Sequence, residues 1–157
     1  MSVTREDLRG ATTGNVIPQY LGSGDPTLKN YYPEWVKNIA DDATVEGSML
    51  TGAVQGADAV RSIVLTIRSL YEQQEFKFAG PYGDNGFLED YVAEVNGEPI
   101  GCVVLVTRNA AGQTQQVVAS YRPRTSLLLF ARLLGERFAG TPIAEHFIAG
   151  ESSSQSK

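Results

Sequence analysis

Sulfur and imidazole are nearly absent from this chain. It has one cysteine, Cys102, and one histidine, His146. A single cysteine excludes an intrachain disulfide, and the two residues together cannot furnish a four-ligand Cys/His zinc site. Basic residues are also scarce: 13 Lys and Arg stand against 18 Asp and Glu, for a net charge of -5. A nucleic-acid binder needs a basic face to neutralise phosphates, so nucleic acid is not an expected partner. No apolar run is long enough to span a bilayer, so no membrane is expected either. The first ten residues, M-S-V-T-R-E-D-L-R-G, lack the apolar stretch of a signal peptide. These absences lead to the expectation of a cytoplasmic protein that holds no metal and no cofactor.

What is present is ordinary globular material. The 157 residues are 42% hydrophobic and 20% charged, which suffices for one domain with a real core. Residues 1–15 are polar and glycine-bearing and read as a flexible arm. Residues 150–157 end in E-S-S-S-Q-S-K and read as a disordered tail. Residues 16–149 read as a single domain.

Two hydrophobic periods divide that domain. Leu28, Tyr31, Tyr32, Trp35, Val36 and Ile39 recur at helical spacing. Pro33 interrupts them and either kinks the helix or opens a shorter one. Residues 43–50 read as a strand. After Gly56 comes the clearest helix, with Val60, Ile63, Val64, Ile67, Leu70 and Tyr71 on one stripe and Arg61, Arg68 and Glu72 opposite. The period then changes to two. Strands are expected at 75–79, 87–95, 100–107 and 113–122, joined by turns at P-Y-G-D-N-G, N-G and N-A-A-G. The strand at 100–107 is apolar on both faces and is expected to be covered twice. Residues 126–138 read as a closing helix. This order gives an α+β layer with helices on one face of a sheet.

The run A-D-D-A-T-V-E-G (40–47) followed by G-A-D-A-V (56–60) resembles the nuclear transport factor 2-like superfamily, which includes ketosteroid isomerases and SnoaL-like cyclases. N-G-E-P (96–99), a long apolar strand and an A-A-G turn are similar to the ketosteroid isomerase branch. The resemblance covers roughly residues 25–138. It implies a cone-shaped, curved antiparallel sheet with helices packed on its concave face, the cystatin-like architecture, and a homodimer packed through the sheet. It also implies two pocket carboxyls. One is a proton-shuttling base after the D-D-A-T-V-E run, where this chain has Gly47. The other is an oxyanion donor on the central strand, where it has Val104. Steroid isomerisation by the family's mechanism is therefore not expected. The family's oxyanion tyrosine has three counterparts on or near the first helix, Tyr20, Tyr31 and Tyr32.

Strand parity then names the pocket. If Val104 faces inward, so do Cys102, Val106 and Arg108. A two-residue turn at Asn96-Gly97 sets Glu89 opposite Val104 and Tyr91 opposite Cys102, with Phe87 on the same face. A four-residue turn at 109–112 sets Val117 opposite Val104, and Gln115 and Tyr121 share its face. Val45 and Met49 flank Gly47, while Tyr31 and Trp35 come from the first helix. The expected cavity is mainly apolar, which suits a small apolar ligand or substrate. Glu89 is the candidate acid–base residue, and Tyr91 and Tyr121 are candidate donors to a carbonyl or epoxide oxygen. The default alternative sets Glu89 in solvent at the strand end or pairs it with Arg108. Three functional classes follow: cofactor-free acid–base chemistry, ligand binding without chemistry, and a protein-interaction module using the sheet.

Overall fold

The computed structural model describes residues 33–147. The expected arm and tail, and Tyr20, Tyr31 and Tyr32, lie outside those residues. The chain forms α1 (Glu34–Lys37), β1 (Ile39–Gly47), β2 (Val54–Gln55), α2 (Ala57–Leu70), β3 (Gln73–Tyr82), β4 (Gly86–Val95), β5 (Glu98–Arg108), β6 (Thr114–Arg122) and α3 (Arg124–Arg137). A single turn of 3-10 helix, Pro142–Ala144, follows. The six strands make one sheet in the order β2-β1-β6-β5-β4-β3. Strand β1 runs parallel to β6, and every other pair is antiparallel.

Local chemistry accounts for most of these boundaries. Pro33 has extended backbone and stands at the cap of a one-turn helix, which settles its role as a helix opener. Asn38 leaves helical conformation, so Ile39 begins a strand and does not end a helix. The expected strand at 43–50 is therefore shifted toward the N-terminus, and it carries Asp41 and Asp42 on its exposed side. The turn joining β4 to β5 forms because Asn96 and Gly97 both adopt positive φ, 53° and 78°. That is the type I′ geometry whose twist matches paired strands.

Register follows from that turn. Glu89 pairs with Val104 and Tyr91 with Cys102, as parity requires. The next hairpin departs from expectation. Val104 pairs with Ala119, and Val117 pairs with Val106. The slip is two residues, so Val117 keeps its inward face. A bulge between Thr107 and Arg108 absorbs one further residue, Gln115. Further irregularities lie in β1 after Ile39 and in β3 after Phe76. Bulges bend and twist a sheet, and here the sheet curves around the helices without closing.

The core fills the concave side. Val60 and Ile63 of α2, Phe130 and Leu134 of α3, and Ile100, Cys102, Val104 and Val106 of β5 are buried together. The outer face of β5 differs from the expectation of double cover, because Val103 and Leu105 are only half-buried. No helix among the described residues is long and apolar enough to cross a membrane.

Thr114 ties the first helix to the sheet. It is almost fully buried, and its hydroxyl donates to the Trp35 carbonyl at 2.7 Å. Thr114→Val keeps the shape and leaves that carbonyl unpaired, so it should cost about 1–3 kcal/mol. Urea unfolding followed by the fluorescence of Trp35, the only tryptophan, measures this. An unchanged midpoint would show that the tie is not needed.

Candidate functional site

A partly open cavity lies between the inner sheet face and α2. Val45, Val104, Val117, Ala119 and Phe76 form its apolar sheet wall, and Ile63, Val64 and Ile67 face them from α2. Its polar groups are few: Glu89, Tyr91, Tyr121, Tyr71, Gln74 and Arg68. Trp35 and Val36, just beyond Pro33, close another side.

Glu89 is the chemical centre of this wall. It sits on β4 with 4% of its surface exposed. The Trp35 indole Nε1–H donates to its Oε2 at 3.0 Å. Burial in apolar surroundings raises its pKa from 4.5 to about 7, against the opposing pull of the Trp35 hydrogen bond and the Arg68 charge. Desolvation wins because a carboxylate loses more by leaving water than one neutral donor returns. The solvated or Arg108-paired alternative is thereby corrected. Arg108 stands four residues beyond Val104 on β5, about 13 Å from Glu89's register. It is half-buried there and does not line the cavity.

A cluster of hydroxyls adjoins the carboxyl. The Tyr71 and Tyr91 hydroxyls hydrogen-bond at 2.7 Å, and their rings meet edge to face at 5.6 Å. Tyr121 and the Cys102 thiol interact with the same group. Burial drives the pKa of Tyr71, Tyr91 and Tyr121 upward. Burial also pushes Cys102 up to about 12. All four are therefore neutral near pH 7, and the tyrosines are donors and not bases. A neutral hydroxyl beside a carboxyl of pKa near 7 can hold a ligand oxygen while the carboxyl takes or returns a proton.

Several expected lining residues lie elsewhere. Gly47 and Met49 line a smaller neighbouring cavity with Leu50, Tyr121 and Phe147. Phe87 is one inner-face step past Glu89 and, like Val106 and Cys102, is buried in the core and does not line the cavity, though the Cys102 thiol backs its tyrosines. Gln115 is the bulged residue of β6, and its amide turns outward to Asp42 and Asn109. Sequence reasoning missed Tyr71, Gln74 and Arg68. Tyr71 was legible only as part of an apolar stripe. Arg68 was set on the opposite face, yet its long apolar stem lets it border the cavity.

Gly47 explains the missing carboxyl. A Cβ built there would collide with the Ala119 carbonyl oxygen across the parallel β1–β6 pair. No side chain fits unless the backbone moves.

No protein-family model matches the sequence, and no curated protein matches it. Solved structures do. The chain is similar to a steroid delta-isomerase from Pseudomonas aeruginosa, with a TM-score of 0.62 at 18% identity over 66% of this chain and 77% of that one. It is equally similar to an uncharacterised protein with a cystatin-like fold from Silicibacter pomeroyi, with a TM-score of 0.62 at 16% identity over 74% and 78%. A de novo designed protein with a curved β-sheet matches with a TM-score of 0.50 at 15% identity, over 73% and 88%. The fold is that of the cystatin-like, nuclear transport factor 2-like proteins, as the sequence resemblance implied.

Two outcomes follow from the site. Glu89 binds its proton more tightly folded than unfolded, so folding takes up a proton between pH 4.5 and about 7. Stability from this group is complete below that window and is lost as pH rises through it, by on the order of 3 kcal/mol. Glu89→Gln keeps an acceptor for Trp35 and should remove that slope. Urea midpoints at both ends of the window, compared between the two proteins, decide it, and equal slopes would contradict the assignment. Separately, Gly47→Asp should destabilise by roughly 1–3 kcal/mol or more through overpacking. A variant as stable as the parent would show that position 47 has room for a carboxyl.

Proposed function

We propose that the chain binds a small, mainly apolar molecule in this cavity and exchanges a proton with it through Glu89. The observation that carries this reading is Glu89 itself, a buried carboxyl on an apolar wall with Trp35 as its hydrogen-bond donor. Tyr91 and Tyr121, with Tyr71, supply neutral hydroxyls for a carbonyl or epoxide oxygen on the ligand. The reaction class is cofactor-free acid–base chemistry of the isomerase, cyclase, dehydratase or hydrolase type. Gly47 and Val104 argue against steroid isomerisation by paired aspartates. The similarity to a steroid delta-isomerase supports the scaffold's suitability for an apolar ligand and nothing finer.

One observation favours binding without chemistry. The Tyr71 and Tyr91 hydroxyls already bond each other, so a ligand oxygen must compete for them. Deuterium exchange beside the carbonyl of beta-tetralone separates the two readings. The first expects the protein to accelerate exchange, with a rate that rises with pH to a plateau just above 7. Glu89→Gln should then lose roughly a hundredfold or more. If beta-tetralone binds and no exchange is accelerated, the cavity is a binding site only. Val104→Trp, checked for folding by thermal melting, should abolish binding of para-phenylphenol. Unchanged affinity would remove the cavity from the account.

We also infer a homodimer through the outer sheet face. Leu88, Val92, Val103, Leu105 and Val118 are half-buried there among Asp90, Glu94, Gln116 and Ser120, and the row Leu88, Leu105 and Val118 across three strands is the apolar part that favours a partner. Leu105→Arg should convert a dimer into a monomer in sedimentation at micromolar concentration. A parent protein that is already monomeric would contradict this.

A further inference from the structure

A second polar residue on the cavity wall has no role in the chemistry above. Gln74 is on β3, 6% exposed, and lines the same cavity as Glu89. Among the described residues its carboxamide has no hydrogen-bond partner. A primary amide carries two donors and an acceptor oxygen. Buried and unmade, those bonds weaken the fold, whereas an apolar side chain of the same size carries no such penalty. Buried unsatisfied groups in folded proteins call for a reason, and a ligand is one such reason.

Register fixes where this amide stands. On β4 the inward residues run Glu89, Tyr91, Ala93, and Gln74 pairs with Ala93 while Phe76 pairs with Tyr91. Gln74 is thus two inward steps from Glu89, about 13 Å along the strands. The wall between them is Tyr91 and Phe76, whose rings lie 5.4 Å apart. The two polar groups are set toward different ends of one apolar space.

We propose that Gln74 is a second ligand anchor, and that the cavity takes an elongated apolar molecule bearing an uncharged oxygen or nitrogen group at each end. One end meets Glu89 and the tyrosines, and the other meets the Gln74 amide. An amide cannot neutralise a charge, so a hydroxyl, carbonyl or amide fits there and a carboxylate does not. This inference rests on the proposal that the cavity binds a small molecule.

The test uses two probes on one scaffold: para-phenylphenol, with a hydroxyl at one end, and the biphenyl with a para hydroxyl at each end. Calorimetry should show the two-ended probe binding about three- to tenfold more tightly, the worth of one neutral hydrogen bond. Gln74→Leu should erase that advantage, bringing the two probes to equal affinity. Equal affinities in the parent, or an advantage that survives in Gln74→Leu, would overturn the anchor and leave the proposed function standing. Failure of both probes to bind would overturn the two together. Thermal melting adds a readout independent of ligand. Gln74→Leu, or Gln74→Met if the branched chain does not fit, should raise the Tm of the free protein. A fall would mark a structural amide and overturn the anchor.

Discussion

A carboxyl group shut away from water must be paired with a cation, hydrogen-bonded on all sides, or neutral. Glu89 meets this constraint with one indole N–H, a more distant Arg68 charge and an apolar wall. The rest of the site is arranged around that shortage. The sheet must curve far enough to bring β4 under α2, and the bulges in β1, β3 and β6 provide the bend. The one-turn helix must hold Trp35 at the cavity edge, and Thr114 fastens it there through the Trp35 carbonyl. Two hydrogen bonds, one through the indole and one through the backbone of the same residue, therefore connect sheet curvature to the protonation state of one side chain.

Backbone packing decides where a carboxyl can stand in this cone. Strand β1 lies so close to β6 at Gly47 that the Ala119 carbonyl occupies the space of a side chain. An acid at that position would require the backbone to move, whatever chemistry the scaffold hosts elsewhere. Val104, the other position where the resemblance implies a carboxyl, pairs directly with Glu89 on the neighbouring strand. The acid of this chain thus stands one strand over from that position on the same concave face. The tyrosines follow it: Tyr91 is the next inward residue on β4, and Tyr71 reaches its hydroxyl from the end of α2.

Much of this was legible in the sequence, for identifiable reasons. The Asn96-Gly97 turn determines its own geometry, so the β4–β5 register could be counted residue by residue. Parity survives a slip of two, so Val117 and Tyr121 kept their face even though their partners moved. Gln115 was misplaced because a single bulged residue reverses parity, and nothing in the composition of that strand announces a bulge. Gln74 was overlooked because the strand at 75–79 was expected to be shorter than β3, leaving Gln74 outside it. Tyr71 and Arg68 were read from helical phase alone. Phase gives the direction in which a side chain leaves the helix, whereas length decides where its polar end arrives. Parity aimed Glu89 into the cone, but how deeply it is buried was not legible. It depends on Trp35 and α2, which are distant in sequence, and a strand-end glutamate is by default solvated.

The claim on which all this rests is that Glu89 titrates near neutrality because the fold keeps it from water. The direct measurement is a carbon-detected NMR titration of the Glu89 carboxyl, identified by its loss in Glu89→Gln. The account predicts a midpoint near 7. A midpoint near the ordinary glutamate value of about 4.3 would mean that water or a cation reaches the group, and would contradict the account at its root.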